Sequence, residues 1–566
     1  MLLSKLVGER IKENPADVQI ESHALLLRAG FIKQVGNGIF TLAMPAKLIV
    51  NNIENIIREE MNKVGGQEVL FPVVLPRELL EESGRYSSIG AELVRLKDRN
   101  DKGLVLAMTH EEAAVQLCKN SVSSYKQLPF MIYQIQTKFR DEGRPRGGLI
   151  RVREFTMKDA YSFHNTQKDL EAYYDRVYRA YENIFNRVGL TGFAVVKSDS
   201  GMMGGDIAHE FMSLTEVGED EIVMCESCGY KANMEIAPAV HNYPKNAGNE
   251  QLKEVFTGEW KEIAEICKGL NVTEQQTCKA VIFAVKGGDE TIIAFSRGDR
   301  EISEAKLKKV VKRDIVPWTG EDDGIVAGNV GPVNLNAKKC IVVFDNSLIG
   351  ASGLVCGANK NEYHLSGLDI KRDVNPKEFF DIAKAKAGQP CSCGGALEVK
   401  RAIEIGNIFQ LGVKYTKSMD MTVLDDKGQL QHPIMGCYGI GVGRALASVA
   451  QLSRDAKGLI WPVSIAPWKV HICALRTDDK LVCKKANDFY KKLNKAGVPA
   501  ILDDRDASAG VKFADADLMG MPVRVVISPK SLAADEVEIT LRAGGESKRV
   551  AFKTAVKEIK GLLGKF

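Results

Sequence analysis

One basic, aromatic stretch contains the densest group of side chains that could do chemistry. Arg140 and Glu142 are two positions apart, so on a strand both would point to the same side. An arginine there could bind a phosphate, and the carboxylate could accept a hydrogen bond from an exocyclic amine. Residues 143–148 form a basic, glycine-rich loop, after which Arg151 precedes Phe155 by four positions. An aromatic ring with arginines beside it suits a stacked purine, and a solvated basic loop is the alternative.

A glycine-rich run is a second candidate for nucleotide binding. Gly439, Gly441 and Gly443 alternate along a predicted strand, and Arg444 stands where a helix is predicted to begin. Arg444 occupies the position of the third glycine of a dinucleotide-binding loop, and the chain contains no P-loop sequence. A backbone that approaches a polyphosphate closely, together with one arginine, suits the γ-phosphate of ATP. Glycines in a tight strand-to-helix turn are the alternative interpretation.

Four cysteines form two clustered pairs, Cys225-x-x-Cys228 and Cys391-x-Cys393, each followed by glycine. Four thiolates could hold a structural Zn²⁺ in tetrahedral geometry. The second pair is one residue shorter than the usual spacing, and the two pairs lie some 160 residues apart. Reduced cysteines without a metal are therefore the alternative. The other eight cysteines are scattered singly, which is typical of reduced thiols in the cytosol.

Composition limits the classes of protein that remain. With 566 residues, 45% apolar and 27% charged, the chain is globular in composition and long enough for several domains. The net charge is only +4, so a nucleic-acid partner must be bound by local basic patches. No run of 18 apolar residues occurs, and charged residues from Glu9 onward leave no room for a signal peptide. We therefore expect a cytoplasmic protein without membrane segments.

Periodicity indicates the elements that must position these side chains. Apolar residues recur every three or four positions in two predicted helices, 46–64 and 167–188, and a strand is predicted to follow the first helix and end at Pro72. Residues 224–402 alternate short strands and helices, which indicates an inserted α/β domain. From residue 468 a fresh strand–helix alternation predicts a small, mainly parallel α/β domain.

These motifs resemble those of class II aminoacyl-tRNA synthetases. The regions of Arg140 and Arg444 resemble motifs 2 and 3 of that class, and residues 46–72 resemble motif 1, the dimer-interface helix and strand. More narrowly, the chain resembles the bacterial-type prolyl-tRNA synthetase family over essentially its whole length. The strings that carry this narrower resemblance are Ala29-Gly-Phe31, Ser83-Gly-Arg85, Thr109-His-Glu111-Glu112, Lys158-Asp-Ala-Tyr161-Ser-Phe163-His164, His209-Glu-Phe211 and Met435-Gly-Cys437-Tyr-Gly-Ile-Gly441.

The resemblance implies a role for each residue of the nucleotide site. Arg140 would bind the α-phosphate of ATP and the carboxylate of the substrate, and Arg444 would pair with the γ-phosphate. Glu142 would accept a hydrogen bond from the adenine amine, Phe155 would stack on adenine, and Arg151 would belong to the same ATP site. Mg²⁺ would accompany ATP and help to neutralise the charge that builds on the phosphoryl oxygens.

The resemblance also implies a proline pocket. Thr109 and Glu111 match the family's Thr-x-Glu loop, which binds the secondary amine of proline, and a charged amine needs an acceptor carboxylate. His164, His209 and Cys437 match positions around that pocket. The chain departs from the residues usual in the family at three positions: Asp206, Ala208 and Gly443. We expect these changes to affect the pocket wall and not the reaction.

Residues 224–402 resemble the editing domain of bacterial prolyl-tRNA synthetases, which hydrolyses alanine wrongly attached to the tRNA. A pocket built for proline rejects the smaller alanine by only about 1–3 kcal/mol of lost contact, so a second site is needed. By resemblance, Lys279 would place the tRNA end. The loops that contain Gly331 and His364 would line the editing pocket.

We therefore expect an α/β (α+β) protein built on a class II antiparallel sheet with flanking helices. The expected domains are a catalytic domain in two parts, 1–223 and 403–467, an editing insert, 224–402, and an anticodon-binding domain, 468–566. The implied function is that of a proline–tRNA ligase acting as a homodimer on L-proline, ATP and tRNA(Pro). The alternatives are another class IIa synthetase and a non-catalytic tRNA-binding relative, and the second would be expected to lose Arg140, Glu142 or Arg444.

Overall fold

The computed structural model describes six stretches of the chain, residues 1–16, 18–199, 207–243, 250–320, 325–336 and 339–564. The chain forms two units. Unit 1 contains Met1–Ala194, Met202–Glu219 and Ala402–Phe566, and unit 2 contains Val195–Gly201 and Asp220–Arg401. Within the described stretches, no helix is long and apolar enough to cross a membrane.

The part of the chain up to residue 219 supplies six α-helices and ten strands in the residues that the structure describes. The helices are α1 (Glu21–Arg28), α2 (Met44–Lys63), α3 (Arg77–Glu82), α4 (Arg85–Ser88), α5 (Glu111–Cys118) and α6 (Gln167–Val188). The strands are β1 (Ile32–Gly36), β2 (Ile39–Leu42), β3 (Gly66–Glu68), β4 (Val74–Pro76), β5 (Arg95–Lys97), β6 (Gly103–Leu106), β7 (Phe130–Phe139), β8 (Glu154–His164), β9 (Ala194–Lys197) and β10 (Ile207–Leu214).

Both long predicted helices are confirmed. The helix α6 occupies the predicted residues because Thr166 caps its first turn and Gly189, at φ +92°, ends it in the left-handed conformation. The apolar face of α2 lies inside unit 1, and Ile49 and Ile53 are fully buried there. This face is therefore not available to a partner chain, although the sequence had suggested that use for it.

The predicted strand ending at Pro72 is wrong in its extent. The strand β3 ends at Glu68, after three residues paired in parallel with β7. Beyond it, the amide of Phe71 donates to the side chain of Gln134 (2.9 Å) and no longer to a strand backbone. A side-chain acceptor has thus replaced the regular ladder before the proline is reached.

The later part of the chain begins with unit 2 and returns to unit 1 at residue 402. The elements of unit 2 in its described residues are β11 (Asp220–Cys225), β12 (Lys231–Asn233), β13 (Lys253–Phe256), α7 (Ile263–Leu270), β14 (Cys278–Val285), β15 (Thr291–Arg297), α8 (Glu304–Val311), β16 (Ile315–Pro317), β17 (Cys340–Phe344), β18 (Leu354–Gly357) and β19 (Tyr363–Leu368). Seven of these strands form a four-stranded sheet in the order β16-β14-β15-β17 and a three-stranded sheet in the order β13-β19-β18, whereas β11 pairs with β12. The predicted α/β alternation of the insert is confirmed at the level of its elements.

The remaining elements complete unit 1. They are β20 (Leu397–Gly412, of which residues 402–412 belong to unit 1), α9 (Lys414–Ser418), β21 (Val423–Leu424), β22 (Leu430–Gln431), β23 (Ile434–Gly441), α10 (Val442–Leu452), β24 (Arg454–Asp455), β25 (Gly458–Leu459), β26 (Val470–Ala474), α11 (Lys480–Lys495), β27 (Ala500–Asp503), α12 (Ala509–Met519), β28 (Val523–Ile527), α13 (Pro529–Ala533), β29 (Glu536–Leu541), β30 (Lys548–Ala551) and α14 (Ala555–Leu563).

The C-terminal elements form a sheet in the order β27-β26-β28-β29-β30. Its first three strands are parallel, whereas β29 and β30 join in antiparallel pairs. The prediction of a mainly parallel domain is therefore confirmed for β26, β27 and β28, and it missed the antiparallel edge.

The central sheet of unit 1 runs in the order β10-β20-β23-β8-β7-β3. All of its pairings are antiparallel except that of β3 with β7. Successive side chains of β8 point to opposite faces of this sheet. Lys158 and His164 contact side chains of α6 on one face, which we call the helix face. Phe155, Asp159 and Tyr161 point to the other, which we call the site face.

Candidate active site

All five residues assigned by resemblance to the nucleotide site line one cavity on the site face. They are Arg140, Glu142, Arg151, Phe155 and Arg444. Arg140 follows the last residue of β7, and its guanidinium lies over the ring of Phe155 at 5.3 Å from the ring centre. Strand pairing of β7 with β8 brings these two residues together, since Lys138 is directly opposite Phe155.

The two arginines give the cavity a positive interior. Burial lowers the pKa of the Arg140 guanidinium, and the nearby charge of Arg444 lowers it further. Arg444 donates from Nε to the carbonyl of Ile150 (2.9 Å) and from Nη1 to the carboxylate of Glu404 (2.8 Å). Two cations that repel each other in a partly buried cavity are stabilised by an anion between them, and a phosphate chain fits that requirement.

Glu142 lines the same cavity as an ionised acceptor. It accepts a hydrogen bond from Nη2 of Arg151 at 2.8 Å, and this bond lowers the pKa of the Glu142 carboxyl. Arg151 also lies 4.0 Å from Glu219, which is paired with Arg146 in the basic loop. The carboxylate of Glu142 is thus held in place while its charge is balanced.

The sequence interpretation missed two residues of this cavity, Glu404 and Asn407. Both lie on β20, and the side-chain amide of Asn407 donates to Glu404 at 2.6 Å. Carboxylate and amide oxygens are ligands that Mg²⁺ accepts, so the chemistry of these donors suits a cation beside the phosphates. Two polar residues in the otherwise apolar run of residues 402–409 were the available signal.

A second group of side chains surrounds the carboxylate of Glu111. Oε1 of Glu111 accepts hydrogen bonds from the hydroxyl of Thr109 (2.8 Å) and from the thiol of Cys437 (3.3 Å). Oε2 accepts from Nη1 of Arg85 at 3.0 Å. Glu111 is fully buried. Burial raises the pKa of its carboxyl, and the charge of Arg85 acts in the opposite direction. The structure thus brings together Thr109, Glu111 and Cys437.

A network of buried hydrogen bonds around Asp159 holds the residues next to this group in place. The hydroxyl of Tyr161 accepts the backbone amide of His110 (2.9 Å) and donates to Asp159 (2.7 Å). Asp159 also binds the ammonium of Lys138 (2.7 Å) and the side-chain amide of Gln134 (2.9 Å). Burial by itself would raise the pKa of Asp159, but Lys138 and the other partners outweigh it and the pKa is lowered. The carboxylate therefore stays ionised and fixes the residues around Thr109.

The structure does not bring His164 and His209 to this group. His164 lies on the helix face, where it bonds Ser162 (2.8 Å) and Asp169 (3.0 Å) and its ring meets that of Tyr173. His209 also faces α6, with Nδ1 at 2.8 Å from the hydroxyl of Tyr174. The strand alternation explains both positions, because their side chains project from the side of the sheet opposite the site.

The three departures from the family pattern have different outcomes. Gly443 lines the nucleotide cavity, and a Cβ there would come no closer than 3.9 Å to a neighbour, so a larger residue would fit. Ala208 is buried in the hydrophobic cluster that also contains Tyr161 and Cys437. Asp206 lies outside the described residues.

Lys279 and His364 line a separate cavity within unit 2. Lys279 donates to the carbonyl of Gly298 (3.0 Å), and Nδ1 of His364 lies 2.8 Å from the hydroxyl of Thr257. Burial lowers the pKa of both side chains. Gly331 lies beside this cavity, where a Cβ would be only 1.8 Å from the carbonyl oxygen of Gly357. Only glycine permits that close approach.

The four clustered cysteines also come together in unit 2. Their sulfur atoms all lie within 4.8 Å of one another. Sγ of Cys225 is 3.6 Å from Sγ of Cys393, and Sγ of Cys228 is 3.8 Å from Sγ of Cys391. Tetrahedral Zn²⁺ with bonds of about 2.3 Å requires sulfur atoms roughly 3.8 Å apart. The thiol set therefore fits a zinc ion, even though its pairs are far apart in sequence.

Comparison with known proteins agrees with this arrangement. The model of the tRNA synthetase class II core domain (G, H, P, S and T) matches residues 94–452, and that of the anticodon binding domain matches residues 463–562. In fold, the chain is similar to the prolyl-tRNA synthetase of Giardia lamblia solved with prolyl-adenylate, with a TM-score of 0.59 and 17% identity over 96% of this chain and 78% of that one. The enzyme of Cryptosporidium parvum solved with L-proline and AMP also has a TM-score of 0.59, with 14% identity over 98% and 78% of the two chains. The fold is that of a class II aminoacyl-tRNA synthetase.

The sequence is also similar to curated proteins over nearly its full length. It is 41% identical over 560 residues to the proline–tRNA ligase of Geobacillus thermodenitrificans, covering 98% of each chain, and 41% identical over 557 residues to that of Syntrophus aciditrophicus, covering 97% and 96%. The chain belongs to the proline–tRNA ligase family.

Proposed function

We propose that this chain activates L-proline with ATP and transfers it to tRNA(Pro). In the first step, an oxygen of the proline carboxylate attacks the α-phosphorus of ATP. Prolyl-adenylate forms, and the bond to pyrophosphate breaks. In the second step, a terminal ribose hydroxyl of tRNA attacks the prolyl carbonyl and AMP leaves. The observation that carries this proposal is a buried carboxylate, Glu111, on the same site face as the arginine-lined nucleotide cavity.

The nucleotide cavity supplies electrostatic stabilisation and needs no covalent chemistry. Arg140 would bind the α-phosphate and the proline carboxylate, and Arg444 would bind the γ-phosphate. Phe155 would stack on adenine, whose amine would donate to Glu142, with Arg151 holding that carboxylate. Preorganised charges of this kind act on the negative charge that develops in the transition state. Mg²⁺, held by Glu404, would supply further neutralisation of the phosphates.

The group around Glu111 selects the amino acid. Thr109 and Cys437 orient its carboxylate, which would bind the charged secondary amine of proline. Pyrophosphate exchange measured with each of the standard amino acids in turn tests the assignment. Proline should drive exchange far above every other amino acid; exchange driven by threonine, serine or histidine instead would refute it.

The cavity of unit 2 would hydrolyse alanine from mischarged tRNA(Pro). We propose that residues 224–402 form the editing domain between the two catalytic parts, 1–223 and 403–467. Lys279 would bind the end of the tRNA, and the narrow loops at Gly331 and His364 would admit alanine and exclude proline.

We expect Lys279→Ala to lower the rate of alanyl-tRNA(Pro) hydrolysis by about 10²-fold, because the ester would lose its orientation in the cavity. Deacylation of purified alanyl-tRNA(Pro) measures this rate. Proline-dependent pyrophosphate exchange should stay at the unmutated level. The matched control is Lys268→Ala, which removes an exposed lysine of the same unit; equal deacylation by both variants would exclude Lys279 from the editing site.

Zinc is proposed as a structural ion bound by Cys225, Cys228, Cys391 and Cys393. Protein purified without chelator should contain about one zinc per chain by elemental analysis. The double variant Cys228→Ser/Cys393→Ser should lose that zinc and unfold at a lower temperature, since metal binding contributes to folding. The control, Cys267→Ser/Cys483→Ser, removes two cysteines outside the cluster and should keep the metal. Metal-free unmutated protein would contradict the proposal.

The assembly is proposed to be a cytoplasmic homodimer that binds tRNA through residues 468–566 and the catalytic domain. The apolar face of α2 is buried, so the interface would use the exposed apolar residues that follow it, Leu70 (72% exposed) and Val74 (44% exposed). Sedimentation of a Leu70→Glu variant beside the unmutated chain tests this, since only the variant should dissociate.

A further inference from the structure

Arg85 binds two adjacent buried glutamates at once. Its Nη1 donates to Glu111 at 3.0 Å and to the two oxygens of Glu112 at 3.2 and 3.3 Å. The side chains of Arg85, Glu111 and Glu112 are 4%, 0% and 1% exposed. Nε and Nη2 of Arg85 have no hydrogen-bond partner among the described residues. The guanidinium is thus desolvated and is held mainly by the charge of the two carboxylates.

The local backbone explains how this cluster forms. Gly84, at φ +77°, turns the chain into α4 so that Arg85 points inward, and a residue with a Cβ would be strained there. Glu111 and Glu112 begin α5, where the positive end of the helix dipole favours carboxylates. The hydroxyl of Ser83 completes the group by donating to Glu112 at 2.8 Å.

The buried charges of this cluster do not cancel. One guanidinium and two carboxylates leave a net charge of −1, next to the hydroxyl of Thr109. Lys414, at the start of α9, is more exposed than these three side chains. Its charge acts on Arg85 as well as on both glutamates, and partial burial lowers the pKa of its ammonium. A buried carboxylate that shares its counter-charge with a second carboxylate is costly, and a bound secondary ammonium group would neutralise it.

We infer that Arg85 and Glu112 set the charge of the amino-acid site, with Glu112 balancing Arg85 so that Glu111 keeps a full negative charge for the ammonium of the substrate. This inference rests on the proposed binding of proline by Glu111. Arg85 and Glu112 are positioning residues, since they act on the substrate only through Glu111. Because Glu111 keeps its negative charge, amino-acid analogues without a positively charged amine should bind less well.

Substitutions that change the charge without changing the shape test the inference. Glu112→Gln leaves Arg85 to neutralise Glu111, so the KM for proline should rise about 10-fold while the KM for ATP stays constant. Glu112→Asp keeps the charge and should raise the KM for proline less than Glu112→Gln does. A purely structural role predicts the reverse order, because glutamine is the better match in size.

A double-mutant cycle supplies the second measurement. The pair Arg85→Met/Glu112→Gln restores the net charge of −1, so its KM for proline should return to within about 3-fold of the unmutated value and lie below that of Glu112→Gln alone. The matched control is Arg187→Met with Glu60→Gln, another arginine–buried glutamate pair, bonded at 2.6 Å between α6 and α2. It should not change the KM for proline.

The results separate this inference from the proposed function. Glu111→Gln with an unchanged KM for proline would refute the binding role of Glu111 itself. Suppose that Glu111→Gln raises the KM for proline strongly. An unchanged KM for proline in Glu112→Gln would then overturn only the charge-balancing role. So would a double variant whose change in KM equals the product of the changes in the two single variants. If Arg85→Met does not fold, the KM values for proline of Glu112→Gln and Glu112→Asp test the inference by themselves, and a higher KM in Glu112→Asp would refute it.

Discussion

Replacing Arg140 or Arg444 by alanine is expected to lower the rate of proline-dependent pyrophosphate exchange by about 10²–10³-fold or more. Both guanidinium groups line the nucleotide cavity, and the negative charge of the reacting phosphates has to be met by groups that are already in place. Arg140→Ala should mainly lower kcat, because this residue would meet the α-phosphate and the carboxylate that react. Arg444→Ala should also raise the KM for ATP, because it would bind the distant γ-phosphate.

The control for these variants is Arg476→Ala, which removes a surface arginine whose ion pair among the described residues is with Asp478. It should leave exchange unchanged. Circular dichroism and the melting temperature check that each variant is folded. Exchange within 3-fold of the unmutated chain in a folded Arg140→Ala or Arg444→Ala protein would refute the roles proposed for that arginine.

Local patterns predicted the elements of the fold where the local sequence determines them. The helix α6 was predictable because its apolar stripe, its cap at Thr166 and its stop at Gly189 all agree. The end of β3 was not, because it depends on the hydrogen bond that the amide of Phe71 donates to the side chain of Gln134, more than sixty positions away. The antiparallel strands β29 and β30 were missed for a similar reason, as pairing with neighbours decides whether such short runs form strands.

All five residues assigned to the nucleotide site line one cavity, whereas two of the five assigned to the amino-acid site, His164 and His209, lie on the helix face. The resemblance placed His164 around the proline pocket, in the same matched string as Tyr161, whose hydroxyl does support the site. Three positions along a strand, however, reverse the direction of a side chain. The alternation of side chains along a strand could have been applied to the sequence alone. It would have placed Tyr161 and His164 on opposite faces of the sheet.

Arg85 and Glu404 had no signal of comparable strength. Arg85 lies 26 positions from Glu111, and Glu404 lies 40 positions from Arg444, so neither pairing follows from local spacing. Ion pairs of this kind are defined by the packing of distant segments. The structure was needed to show that one arginine serves two adjacent glutamates.

The buried network below the amino-acid site should be the most sensitive point of the fold. Asp159→Asn is expected to lower the free energy of unfolding by about 3–5 kcal/mol, because it leaves the ammonium of Lys138 buried without an opposite charge. Lys138 is fully buried and lies 2.7 Å from Asp159. A shift of the urea denaturation midpoint to lower concentration measures the effect. The exposed substitution Asp478→Asn, which removes the partner of Arg476, should leave the midpoint unchanged.

A second substitution distinguishes the charge from the packing. Lys138→Met combined with Asp159→Asn removes both charges, so part of the lost stability should return, and the two effects should not add. The hydroxyl of Tyr161 bonds both Asp159 and the backbone of His110, next to Thr109. The double variant should therefore regain stability and still have a raised KM for proline, because Tyr161 has lost its charged acceptor. Additive stability losses would show that Lys138 and Asp159 act independently, and an unchanged KM would show that the network does not position the amino-acid site.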